Sequence, residues 1–238
     1  MSYAAGSEIA PARRYLRGSD DHEHVTLPEQ HAPTGRAVKA DFAGRQPSIN
    51  WCRIGQREWR SRIEAENPHL VILSSFWLYG VSDRYQARYV DDQSPAMPDI
   101  AQSRARFERK ITETVEWLTA NQRKVVIIGT TVLVDRPPSA CYGRPDVFSA
   151  PDCQKLNAVS DPEAQAYLSD FFRRLVAGRS NVLYVDVESA LCKGAECLHA
   201  ENGTSLYLDR HHLTPYGAMW VQDRAFQPLT EFAKGLRN

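Results

Sequence analysis

Three short apolar runs, in HLVILSSFW from Leu70 to Leu73, in KVVIIGTT and in VLYVDV, restrict the architectures open to this chain. Each is continuous rather than alternating, as expected of a parallel strand covered on both faces. The segments between them carry apolar residues at helical spacing. Phe107, Ile111, Val115 and Leu118 form one such stripe, in a helix expected after the loop holding Pro95 and Pro98 and ending around Asn121. Tyr167, Leu168, Phe171 and Leu175 form a second, opened by Asp161 as N-cap with Pro162 behind it and stopped at Gly178. A polar helix punctuated by Ile54, Trp59 and Ile63 should end before Pro68, because the residue preceding proline resists the α region. A last helix should start at Thr214-Pro215 and run through Met219, Trp220 and Phe226. Alternating strand and helix call for an α/β fold: a parallel sheet with helices on both faces, which binds ligands beyond the C-terminal ends of its strands.

Residues 1–48 are rich in Ala, Arg, Pro, Asp and His and follow neither a two-residue nor a 3.6-residue period, so they are expected to be irregular. The folded domain is expected over 49–238, with no internal repeat and no second domain. Lys plus Arg (29) balances Asp plus Glu (29), a composition that gives no global field to attract nucleic acid or an anionic membrane. No run approaches the roughly 20 apolar residues of a membrane span. The N-terminal MSYAAGSEIAPARRYLRG lacks the apolar core of a secretory signal. No Gly-rich phosphate loop is present either, since Gly129-Thr130-Thr131 lacks the further glycines and the lysine.

Four of the five cysteines fall into two close pairs, Cys141 with Cys153 and Cys192 with Cys197, leaving Cys52 over. LCKGAEC, with no second pair at metal-ligand spacing, reads as a short disulfide rather than a zinc knuckle. A disulfide implies an oxidising compartment, which is at odds with the missing signal unless an upstream signal or membrane segment belongs to the parent chain. The alternative is a set of reduced, partly buried thiols. His22, His24 and His31 sit in an acid-rich, aperiodic stretch without ligand spacing and are read as part of a solvated tail, with no metal.

The chemistry concentrates in LYLDRHHLTPYGA. Asp209 and His212 lie three residues apart in a loop entering a helix, so one turn can fold the carboxylate onto the imidazole Nδ1. That contact would fix the tautomer and leave Nε2 as a general base. On spacing alone, the same D-x-x-H also fits an ordinary loop hydrogen bond and a histidine packed at a helix start.

DRHHLTPYGA, with the preceding CKGAEC and LY, resembles the C-terminal block of SGNH (GDSL-like) hydrolases. In particular it is similar to the SGNH domains fused to the C-terminus of membrane O-acyltransferases that modify bacterial surface polysaccharides. Their block reads Tyr-x-Asp-x-x-His-Leu-Ser/Thr-x-x-Gly-Ala, matched by Tyr207, Asp209, His212, Leu213, Thr214, Gly217 and Ala218. His211 falls on a variable position and is read as a neighbour. The similarity extends upstream through VILSSFWLY, KVVIIGTT and YVDVESALC.

The resemblance implies a three-layer αβα sandwich, a periplasmic or extracellular location, no cofactor, and a Ser-His-Asp triad handling an acyl group, commonly acetyl, on a carbohydrate. It also implies a membrane acyltransferase domain as a partner within a longer parent chain. The nucleophile should sit on Gly-Asp-Ser-His at the end of the first strand. The only counterpart here is Gly18-Ser19-Asp20-Asp21-His22, in changed order and behind ARRYLR rather than an apolar strand, so Ser19 is read either as the candidate nucleophile or as an ordinary loop serine, with the first strand degenerate or missing. Classical members carry an Asn in their third block, where this chain has Ser74, Ser75, Phe76 and Trp77, so no side-chain oxyanion donor can be assigned. Trp77 and Tyr79 are candidates to stack on a sugar ring, with core or rim packing the alternative. A catalytically incomplete domain that binds carbohydrate or acts as a scaffold is the competing reading.

Overall fold

The computed structural model describes residues 36–38, 47–85, 87–90, 98–134, 161–193 and 196–234. Ser19, His22, His24, His31, Cys141 and Cys153 lie outside the described residues.

The three apolar runs form one parallel sheet: β2 (Leu70–Ser74), β4 (Lys124–Ile128) and β5 (Val182–Val185), with β4 in the centre. Register runs from Leu70 opposite Lys124 to Ser74 opposite Ile128, and from Val125 opposite Val182 to Ile128 opposite Val185. A small antiparallel pair joins β1 (Arg36–Val38) to β3 (Arg88–Val90). β1 lies inside the stretch expected to be irregular. It is too short for a two-residue period to be visible in the sequence.

Because strand side chains alternate between faces, each run feeds two cores. Val71, Leu73, Val125, Ile127 and Val182 join one buried cluster, with Trp59 and Ile63 of α1 (Pro47–Glu66), Phe107, Ile111, Val115 and Leu118 of α2 (Ile100–Ala120), and Leu168, Phe171, Phe172 and Leu175 of α3 (Pro162–Val176). Leu70, Val126 and Val185 join the other, under α4 (Val187–Leu191), α5 (Pro215–Ala225) and α6 (Gln227–Lys234). The result is a three-layer αβα sandwich. No described helix is long and apolar enough to cross a membrane.

Side-chain caps set the helix starts, Asp161 as the sequence predicts and Asp99 as the structure adds. Asp99 accepts from the Gln102 N–H and Asp161 from the Ala164 N–H, each satisfying a donor that the first turn would leave open. α3 is C-capped by Ala177, and Gly178 follows at φ 74°, the left-handed conformation that favours glycine. Between α4 and α5 two short hairpins appear: β6 (Cys192–Lys193) with β7 (Glu196–Cys197), and β8 (Ala200–Glu201) with β9 (Thr204–Ser205). Cys192 and Cys197 face each other in the first hairpin and are joined by a disulfide, as LCKGAEC suggests.

Candidate active site

The loop carrying Asp209 and His212 is closed at its base. Tyr207 pairs with Leu213 in an antiparallel bridge, and the Leu208 N–H donates to the His212 carbonyl at 2.8 Å. Tyr207 is buried and anchors one side of the loop. On the other side Thr214 caps α5: its hydroxyl donates to the Ser205 carbonyl at 2.9 Å and accepts from the Gly217 N–H at 3.0 Å. Gly217 is required by contact, since a Cβ there would stand 1.9 Å from the Leu206 carbonyl oxygen. The spacing of Tyr207, Asp209, His212, Thr214 and Gly217 is therefore the covalent outline of one tight loop packed against a helix start.

At the tip, the Asp209 carboxylate divides its two oxygens. Oδ2 lies 2.6 Å from His212 Nδ1, while Oδ1 accepts from the His212 N–H at 2.8 Å and the His211 N–H at 2.9 Å and lies 3.1 Å from His211 Nδ1. An ionised carboxylate only accepts, so both imidazoles carry their proton on Nδ1, and His212 Nε2 is left with a lone pair. Partial burial pushes the Asp209 carboxyl up, but the hydrogen bonds from the two backbone N–H groups and the two rings outweigh it and hold the group well below the ordinary carboxylate range. The His212 side chain is exposed to solvent.

The same three side chains bring potential ligand atoms within 4.8 Å of one another. Each Nδ1 instead faces the carboxylate as a proton donor. In this arrangement the nitrogens that point inward are committed to hydrogen bonds and offer no lone pair to an ion.

This loop sits at the C-terminal ends of the parallel strands, where open α/β sheets bind ligands. After β4, the Thr131 hydroxyl donates to the His211 carbonyl, the Val134 N–H donates to the Arg210 carbonyl at 2.9 Å, and Arg210 Nε returns to the Val134 carbonyl at 3.1 Å. After β2, the Phe76 ring meets His211 edge to face, with centroids 4.5 Å apart. Phe76 also packs edge to face on Tyr79 (5.0 Å) and Tyr85 (5.6 Å), forming a half-buried aromatic cluster next to the histidines. Burial raises the Tyr85 hydroxyl pKa and Tyr79 adds to this, while Arg210 and Arg84 pull it back.

Trp77 does not share that position. It is fully buried, its ring packs against Phe107 and Phe172, and its Nε1–H donates to the Ile128 carbonyl at 2.7 Å. With no free face, it is a core residue and has no surface on which a sugar ring could stack. Its neighbour Phe76 and the more distant Tyr85 stand beside the site instead. Nothing in the local spacing marks them or Thr131 as site residues. The available signal was position: each follows the C-terminal end of a parallel strand.

The SGNH domain fused to AT3 domains matches residues 32–227 of the chain. The chain belongs to this SGNH family. Among solved structures, the periplasmic domain of a lipopolysaccharide acetyltransferase from Salmonella ser. Paratyphi A is similar, with a TM-score of 0.53 and 15% identity over 83% of this chain and 68% of that one. At that identity the likeness shows a shared SGNH fold and nothing finer. A Bacteroides fragilis NCTC 9343 protein described as an acylhydrolase aligns at TM-score 0.39 and 17% identity over 78% of this chain and 71% of that chain. No curated protein matches the chain. Membership of the SGNH family supports a hydrolase- or acyltransferase-like role.

Proposed function

We propose that this domain hydrolyses or transfers an acyl group, acetyl in the first instance, on the esters of a bacterial surface carbohydrate. His212 serves as general base, Asp209 orients it, and a serine, with Ser19 as the candidate, is the nucleophile. The observation that carries the reading is the 2.6 Å contact from His212 Nδ1 to Asp209 Oδ2, with the His212 side chain exposed at the C-terminal edge of the sheet. Such a pair can accept the serine proton during attack and return it to the leaving alkoxide, while the carboxylate stabilises the transient imidazolium. The half-buried Phe76, Tyr79 and Tyr85 beside it suit the apolar face of a sugar ring. Fusion to AT3 domains in the family, and the Cys192–Cys197 disulfide, support a domain working outside the cytoplasm beside a membrane acyltransferase.

A second reading is favoured by a specific sequence observation: Gly18-Ser19-Asp20-Asp21-His22 departs from Gly-Asp-Ser-His and follows no apolar strand. On that reading the domain retains the His-Asp pair but binds carbohydrate without turnover. Hydrolysis of p-nitrophenyl acetate by wild type, His212→Ala and Ser19→Ala separates the two. Loss of at least about a hundredfold in both variants is expected for a complete triad. Wild-type protein that is folded and no faster than His212→Ala would leave only the binding role.

A further inference from the structure

Resting on the proposed role of the Asp209–His212 pair, we propose that His211 is a positioning residue: its ring holds the Asp209 carboxylate so that one oxygen is dedicated to His212. The two backbone N–H groups of residues 211 and 212 both meet Oδ1, at 2.9 and 2.8 Å. Those bonds pin a single oxygen and leave the carboxylate plane free to rotate about it. His211 Nδ1, 3.1 Å from the same Oδ1, adds a donor from a third direction, saturates that oxygen and turns Oδ2 toward His212 Nδ1 at 2.6 Å. An oxygen with three donors has little capacity left to compete for the His212 proton.

His211 is itself held from two directions. Phe76, after β2, packs edge-on against its ring at 4.5 Å, and the Thr131 hydroxyl, after β4, donates to its carbonyl oxygen. The ends of two strands of the sheet are thereby coupled through His211 to a carboxylate that sits on an otherwise local loop. The two imidazoles lie 4.0 Å apart, centroid to centroid, which places His211 close enough to orient its neighbour while its own Nδ1–H points at the carboxylate rather than at a reacting group.

Two polar substitutions test this without emptying the site. An Asn amide nitrogen superposes on histidine Nδ1, whereas a Gln amide nitrogen falls near Nε2. The full chain is prepared as wild type, His211→Asn and His211→Gln, with near-UV circular dichroism confirming the fold. The first readout is the downfield proton resonance of His212 Nδ1–H, and the second is kcat and KM on p-nitrophenyl acetate. His211→Asn should keep the resonance and stay within about threefold of wild-type kcat, while His211→Gln should lose the resonance and about tenfold or more in kcat at unchanged KM. Equal behaviour of the two folded variants, whether both keep or both lose the resonance, overturns the proposal. If the wild-type chain does not turn over ester, the resonance alone decides the role of His211, and the failure then belongs to the catalytic reading.

Discussion

Asp209 is about half exposed, with a side-chain accessibility of 45%, yet two backbone and two ring donors converge on it. A carboxylate can accept all of them because it has about four lone-pair sites; an amide cannot. In Asp209→Asn, an amide N–H facing His212 Nδ1 would force that nitrogen to become the acceptor and move the proton to Nε2. On the proposed mechanism His212 would then be in the wrong tautomer to act as base. A kcat loss of up to about 10⁴-fold is expected on p-nitrophenyl acetate, with the fold intact. The same residue gives an acid-linked stability term. Its folded-state pKa is held below the unfolded value of about 3.9, so its contribution is present above that value and is lost as pH falls through the folded one. The stability gap between wild type and Asp209→Asn in urea should therefore shrink as pH is lowered from about 5. A gap that widened on acidification would contradict this picture of the carboxylate.

At the level of elements, the site is a closed loop delivered to a helix start. The bridge from Tyr207 to Leu213, the Thr214 cap and the contact of Gly217 with Leu206 fix where α5 begins and hence where His212 points. Gly217→Ala would drive a methyl group to 1.9 Å from a backbone oxygen, so either α5 or the chain at Leu206 must move. A loss of about 2 kcal/mol or more is expected in urea unfolding, together with a fall in any activity that depends on His212. The short disulfide-closed hairpin, β6–β7, works on the same stretch: it packs Cys197 into the second core and returns the chain to β8, upstream of the Asp209–His212 loop.

On the scale of the molecule, the sheet is a shared wall between two apolar cores, and the Asp209–His212 loop lies at the C-terminal ends of its strands. Ile127 faces the core under α1, α2 and α3, and Leu206 lies in the core under α4, α5 and α6; both are fully buried. Since adjacent residues of one strand feed both clusters, the two should unfold together. Ile127→Ala and Leu206→Ala are each expected to cost about 2–5 kcal/mol while leaving a single cooperative transition by fluorescence and circular dichroism. Separate transitions in either variant would show that the two layers are independent.

Much of this was legible in the chain. The continuous apolar runs, the helical stripes and the caps at Asp161 and Thr214 specify strands and helices through local chemistry, and the D-x-x-H spacing is short enough for one loop to close on itself. The pairing of Cys192 with Cys197 was legible for the same reason, because its partners are five residues apart. What could not be read was long-range. Trp77 and Phe76 are neighbours in sequence, yet one is sealed beneath the Ile128 carbonyl and the other touches His211, a difference set by which way the chain turns after β2. The contact from Thr131 to His211 spans 80 residues and exists only because β4 ends beside the loop before α5. Local hydrogen bonding and periodicity are written in adjacent residues, whereas the side chains that meet at a sheet edge depend on how separate strands are ordered and packed.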